Sequence, residues 1–136
     1  MGIKMIKISV CDDDEGQLTF FKQCFMEYNE KHEEKIEANF YQSVQSLLNE
    51  KKFSPDVYFL DIELQDGNGL KLAGRIRTRN PQIPIVFITS HEEFMPEAFQ
   101  VHAYQYLNEK KNAQAVENVL NQLADYFSEQ NQNLSN

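Results

Sequence analysis

A chain of 136 residues suits one domain around a single core, and a hydrophobic fraction of 41% with ten Phe excludes a disordered segment. The formal net charge of −8 excludes a broad basic face for nucleic acid and suits a cation or a positively charged partner. Cys11 and Cys24 match neither a CxxC nor a metal-ligand spacing, so both read as small buried hydrophobes of a reducing compartment.

Met5 to Val10 places β-branched residues at Ile6, Ile8 and Val10, which predicts a first strand ending at Cys11. Asp12-Asp13-Asp14-Glu15 follows, and its last two acids suit a helix N-terminus. Leu18, Phe21, Phe25 and Tyr28 recur at intervals of three and four, predicting an amphipathic helix to about Asn29. Ile36, Ala38 and Phe40 alternate with polar residues as a half-exposed second strand. Ser43 is then placed to cap a short helix carrying Val44, Leu47 and Leu48.

The run Asp56-Val57-Tyr58-Phe59-Leu60-Asp61-Ile62-Glu63 is bounded by Ser54-Pro55 and Gly67-Asn68-Gly69, and reads as a strand buried on both faces. Leu70, Ala73 and Ile76 mark a third helix that stops before Asn80-Pro81. Pro84 opens a fourth buried strand, Ile85 to Ile88, which ends in Thr89-Ser90-His91. A short polar helix through Ala98 and Phe99 leads to a fifth strand, Ala103 to Leu107. Val116, Val119, Leu120, Leu123 and Phe127 give the last helix its apolar stripe, and the polar tail from Gln130 is expected to fray. The N-terminus lacks the apolar core of a signal peptide, and no run of 18 apolar residues occurs. A cytoplasmic chain with no membrane contact is expected.

Five strands alternating with five helices predict an α/β fold, a single doubly wound, flavodoxin-like (βα)5 domain with a parallel sheet of order 2-1-3-4-5. Its switch point lies between strands one and three, whose ends carry Asp12-Asp13 and Asp61. A carboxylate at the end of a buried strand is costly to desolvate unless a cation or donor meets it. Three converging carboxylates require a proton or a cation, and Mg²⁺ is the economical choice because it uses few carboxylates and keeps several waters. Thr89 and Ser90 can donate hydroxyl hydrogen bonds to phosphoryl oxygens, and an Asp beside the metal can act as the nucleophile that forms an acyl phosphate. No Walker loop or Gly-rich turn follows the first strand, and no Ser-His-Asp or Cys-His arrangement stands out. A haloacid-dehalogenase-like phosphatase fits poorly, since no Thr follows the spaced acids in place, and a Mg²⁺-dependent phosphatase would instead be marked by sustained turnover of a small phosphate ester.

Val10-Cys11-Asp12-Asp13, Leu60-Asp61-Ile62 with Gly69 eight residues on, Ile88-Thr89-Ser90-His91-Glu92 and Ala103-Tyr104-Gln105-Tyr106-Leu107 together resemble a response-regulator receiver domain, closest to the LytR/AlgR type. The likeness runs from about Met5 to Phe127, giving a receiver domain over residues 5–128 and a polar tail or linker stub over 129–136. It implies that Asp61 accepts a phosphoryl group from a sensor histidine kinase. Asp13 would ligate Mg²⁺ directly, Asp12 through water or a hydrogen bond, and Glu63 through its backbone carbonyl. Thr89 would bind the phosphoryl group, and Thr89 and Tyr106 would form the switch. DNA contact only through an effector domain belongs to the same implication, as does a signalling rather than an enzymatic role. The flank of the last helix's apolar stripe, with the fourth helix and fifth strand, reads as a candidate homodimer face.

One position departs from the pattern. The family places a Lys three residues beyond the aromatic, where this chain has Glu109 followed by Lys110 and Lys111. Two unit charges 4 Å apart interact by about 4 kcal/mol at an effective dielectric near 20, so a carboxylate there would repel a phosphoryl dianion. A one-residue bulge that brings Lys110 to the site reconciles the two and is the preferred reading. The alternative is a degenerate receiver acting as a constitutive protein-interaction module. Gln65 also stands where the family often has Pro. His91 reads as a solvated residue at a helix start, and Tyr104 and Tyr106 as facing one side of a strand.

Overall fold

The structure, a computed structural model, describes residues 5–89, 91–107 and 111–135. The apolar runs form β1 (Met5–Cys11), β2 (Lys35–Tyr41), β3 (Val57–Asp61), β4 (Ile85–Ile88) and β5 (Gln105–Leu107). These strands make one parallel five-stranded sheet of order β2-β1-β3-β4-β5, as the sequence predicts. Helices α1 (Glu15–Lys31), α2 (Val44–Asn49), α3 (Gly69–Arg79) and α4 (Met95–Gln100) alternate with the strands, and α5 (Ala113–Ser135) follows β5. A small antiparallel hairpin, Glu63–Leu64 against Gly67–Asn68, is inserted between β3 and α3.

Side chains alternate across each central strand, so the sheet has a core on both faces. On one face Ile8, Val10, Phe59, Val86 and Ile88 pack with Phe21 and Phe25 of α1 and Val119 and Leu123 of α5. Phe59 meets the edges of Phe21 and Phe25 at 5.7 and 5.8 Å between ring centres, contacts worth about 1 kcal/mol each beyond their buried area. On the other face Leu60, Ile62, Ile85 and Phe87 pack with Leu47 of α2, Leu72 and Ile76 of α3, and Ala98 of α4.

The helix starts follow their cap residues. The Asp14 side chain accepts from the Gly16 N–H at 2.9 Å, and the Asn68 side chain accepts from Leu70 at 2.7 Å. Ser43 closes a capping box with Ser46 at the head of α2.

Two element ends differ from expectation. The last helix continues to Ser135 instead of fraying at Gln130, because this polar stretch contains no Gly or Pro to interrupt the backbone ladder. The fifth strand starts at Gln105 rather than Ala103 because α4 closes in a Schellman turn. His102 takes a left-handed φ of 58°, its N–H donates to Phe99 O at 3.0 Å, and the Ala103 N–H donates to Ala98 O at 3.1 Å. Tyr104 therefore lies before the strand and sets its ring against Tyr126 of α5, 5.9 Å between centres. Tyr106 packs with the opposite core, so the two tyrosines do not share a face.

Candidate metal centre

β1 and β3 are paired with Cys11 opposite Leu60, so the residues that follow, Asp12 and Asp61, leave the carboxyl edge of the sheet beside each other. One oxygen from each of Asp12, Asp13 and Asp61 lies within 4.8 Å of the other two. Asp12 is fully buried, Asp61 is 4% exposed and Asp13 is half-buried. Hydrogen bonds fix these carboxylates in place. Asp12 Oδ1 accepts from the Asp14 N–H at 2.9 Å, Asp13 Oδ2 from the Gln65 N–H at 3.0 Å, and Asp61 Oδ1 from the Glu63 N–H at 3.3 Å.

The donor set fits a hard divalent ion. All three candidate ligand atoms are carboxylate oxygens, the hard donors of which Mg²⁺ takes one or two while keeping several waters. The negative field is felt by the adjacent thiol. Burial, and then the charges of Asp66, Asp12, Asp61 and Asp13, push Cys11 up to about 12, so it stays a neutral packing group.

Gly69 is fixed by close approach. A Cβ there would stand 2.1 Å from the Asp61 carbonyl oxygen, and the Gly69 N–H donates to Ile62 O at 2.8 Å. The start of α3 is thereby pressed against the strand that carries Asp61.

Thr89, 2% exposed, follows β4, whose Ile88 is paired with Asp61. Its N–H donates to Leu107 O at 2.9 Å, and its hydroxyl accepts from the His91 N–H at 3.2 Å. The Tyr106 hydroxyl donates to the His91 carbonyl. His91 is exposed just before a short helical turn, as expected, and its ring also meets two glutamates. Its Nε2 is 3.3 Å from Glu63 Oε2 and its Nδ1 is 3.4 Å from Glu93 Oε1. Ser90, Glu109 and Lys110 lie outside the described residues. Lys111 is described, and its ammonium lies near the head of α1, 3.5 Å from where a Cβ on Gly16 would stand.

Three contacts have no counterpart in the sequence reading: the Gln65 N–H on Asp13, the Asp66 carboxylate on the first two N–H groups of α2, and the His91 ring between two glutamates. The first had a signal, since a Gln in place of a Pro restores a backbone donor. Asp66 to Val44 and His91 to Glu63 join residues far apart in sequence and carry none. Among the described residues, no helix is long and apolar enough to cross a membrane.

The family model for the response regulator receiver domain matches residues 8–121. Accessory gene regulator protein A of Staphylococcus epidermidis is 34% identical over 108 residues, covering 75% of this chain and 45% of its own length. Sensory transduction protein LytR of Staphylococcus haemolyticus is 30% identical over 94 residues, covering 69% and 36%. The chain thus spans about half or less of the length of the curated relatives it matches. Among solved structures, the response regulator TrrA of Thermotoga maritima, in complex with Mg²⁺ and beryllofluoride, superimposes with a TM-score of 0.75 at 21% identity, covering 88% of this chain and 99% of that one. With a family match over most of its length and regulators of the LytR and accessory-gene type among its relatives, the chain belongs to the response regulator receiver family.

Proposed function

We propose that this chain is the phosphoacceptor domain of a two-component regulator, with residues 5–128 as the receiver unit and Asp61 as the acceptor. The observation that carries the reading is the convergence of Asp12, Asp13 and Asp61 to within 4.8 Å at the end of a buried strand. A carboxylate oxygen of Asp61 attacks the phosphorus of a sensor kinase's phosphohistidine. The P–N bond breaks, the imidazole nitrogen leaves with the electron pair, and an acyl phosphate remains on Asp61. Asp13, Asp61 and the Glu63 carbonyl would hold Mg²⁺ directly, with Asp12 acting through water or a hydrogen bond. When bound, that ion supplies the positive charge that offsets the developing phosphoryl charge. Thr89 and Ser90 donate hydroxyls to the phosphoryl oxygens, and Lys110 provides a cation.

The output follows from the contacts of Thr89. Its hydroxyl accepts from His91, and His91 in turn receives the Tyr106 hydroxyl. A phosphoryl group that recruits Thr89 withdraws it from His91 and shifts the population of packings at α4 and β5. The face altered there, with the flank of α5, is the surface for a second copy of the domain. Transcriptional output would run through a DNA-binding effector domain, in the cytoplasm.

Acetyl phosphate with Mg²⁺ tests this reading. One phosphoryl group per chain is expected by intact mass, with none on Asp61→Ala and none when the metal is chelated. Uptake unaffected by Asp61→Ala would overturn it.

A further inference from the structure

The segment from Ile62 to Asn68 is tied down at its tip by two contacts from distant parts of the chain. The Gln65 N–H donates to Asp13 Oδ2 at 3.0 Å. One residue on, the Asp66 carboxylate bridges outward, its Oδ1 accepting from the Val44 N–H at 2.9 Å and its Oδ2 from the Gln45 N–H at 3.1 Å. Gly67 lies flush on the same helix start, since a Cβ on it would stand 3.0 Å from Val44 Cγ2. Ser43 already serves the N–H of Ser46, so Asp66 completes the set of first-turn donors of α2. The hairpin tip is thus clamped between a proposed metal ligand on one side and α2 on the other.

Gln65 is what makes the inner half of the clamp possible. A Pro at this position would rigidify the loop covalently but has no N–H to offer Asp13. This chain replaces that rigidity with a hydrogen bond that ends on the site itself. A carboxylate has about four lone-pair directions on two oxygens, so Asp13 can accept from Gln65 and still meet a cation. The bond selects one rotation of the carboxylate, and the outer anchor at Asp66 keeps the donor in place.

We propose that Gln65, through its backbone N–H, and Asp66, through its carboxylate on α2, are positioning residues that hold Asp13 and the hairpin carrying the Glu63 carbonyl in the pose that receives the divalent ion. The proposal rests on the metal-binding reading above. It makes α2 a mechanical support of the site although none of the three cluster acids lies on α2. Groups that orient metal ligands commonly change affinity by about 10–100-fold when removed. Because Asp66 is exposed and acts through one intermediate contact, the lower end applies.

The test uses the intact chain and four variants: Asp66→Ala, Asp66→Asn, Gln65→Ala and Gln65→Pro. In metal-free protein, Asp66→Ala should speed hydrogen exchange of the Val44, Gln45 and Gln65 amides by about fivefold or more. Asp66→Asn, which keeps one acceptor oxygen, should fall between it and the parent. Unchanged protection of the Gln65 amide in Asp66→Ala would overturn the proposal whether or not the chain binds metal. In a Mg²⁺ titration followed by Tyr fluorescence and site amides, Asp66→Ala should bind about tenfold more weakly while remaining folded throughout the titration. Gln65→Ala, which keeps its N–H, should match the parent, and Gln65→Pro should be weakened. Asp66→Ala with loosened amides and parental Mg²⁺ affinity would overturn the coupling. A parent chain that binds no Mg²⁺ at all would refute the metal-binding reading itself, and the amide exchange alone would then decide whether the clamp exists.

Discussion

The two ends of the β3–α3–β4–α4 segment are built on opposite terms. At the Asp61 end, nearly every turn is fastened: Gly69 is packed onto the Asp61 carbonyl, Asn68 caps α3, Gln65 holds Asp13, and Asp66 holds α2. At the α4 end, the helix has six residues, Phe94 gives it no side-chain cap, and Ala98 is its one buried residue. Met95 and Phe99 are exposed there, Phe99 by 70%. The difference teaches where change is affordable. The proposed chemistry, which depends on oxygen positions, would sit where the backbone is over-determined, and the face that would report it sits where few contacts resist a shift.

Substitutions at the fastened end should therefore be the most damaging. Gly69→Ala forces a methyl against backbone, so the strand or α3 must move. A loss of about 2–4 kcal/mol in urea denaturation is expected, together with weakened Mg²⁺ binding. At the other end a single residue carries most of the restraint. The Arg77 guanidinium donates to the carbonyls of Val101 and His102, at 2.9 Å each, and of Ile83. Arg77→Met leaves those acceptors without their donor and should cost about 1–3 kcal/mol, with faster amide exchange confined to Val101–Tyr104. Equal exchange changes around Asp61 would break the division between the two ends.

Smaller effects sharpen it. His102→Gly relieves a left-handed φ at the C-terminus of α4 and should stabilise the chain by about 0.5–1 kcal/mol in the same assay. The core common to both ends has its own pH signature. Burial, and then the charge of Glu27, push the Cys24 thiol up to about 11, above its ordinary value of 9.0. The native state holds that proton more tightly than the unfolded chain. The contribution is therefore fully present below pH 9 and is lost as pH rises through 11. Cys24→Ala should flatten the decline of thermal stability across that window. Least of all, Phe99→Ser should stay within about 0.5 kcal/mol of the parent, as expected for a side chain that packs little.

Much of this division was legible in the residues themselves. Apolar runs bounded by turn residues gave all the strands of the sheet, and acids at two strand ends gave the cluster, because burial and charge leave local marks. Ser43 and Asp14 were legible for the same reason. Long-range main-chain contacts were not. The Gln65 N–H reaches Asp13 across 52 residues, and Asp66 reaches Val44 across 22; a Gln in place of Pro marks a free donor at 65, but nothing local names the group it meets. The late start of β5 was equally hidden, because it depends on the left-handed turn at His102, where no Gly marks the helix end.

The most direct trial is to add Mg²⁺ and beryllofluoride to the 136-residue chain and follow its backbone amides by NMR. A saturable adduct is predicted that requires both Asp13 and Asp61, shifts Asp12, Gln65 and Thr89 first, and carries on into α4 and β5. An adduct that survives Asp61→Ala, or shifts that never leave the surface far from Asp13, would contradict the account.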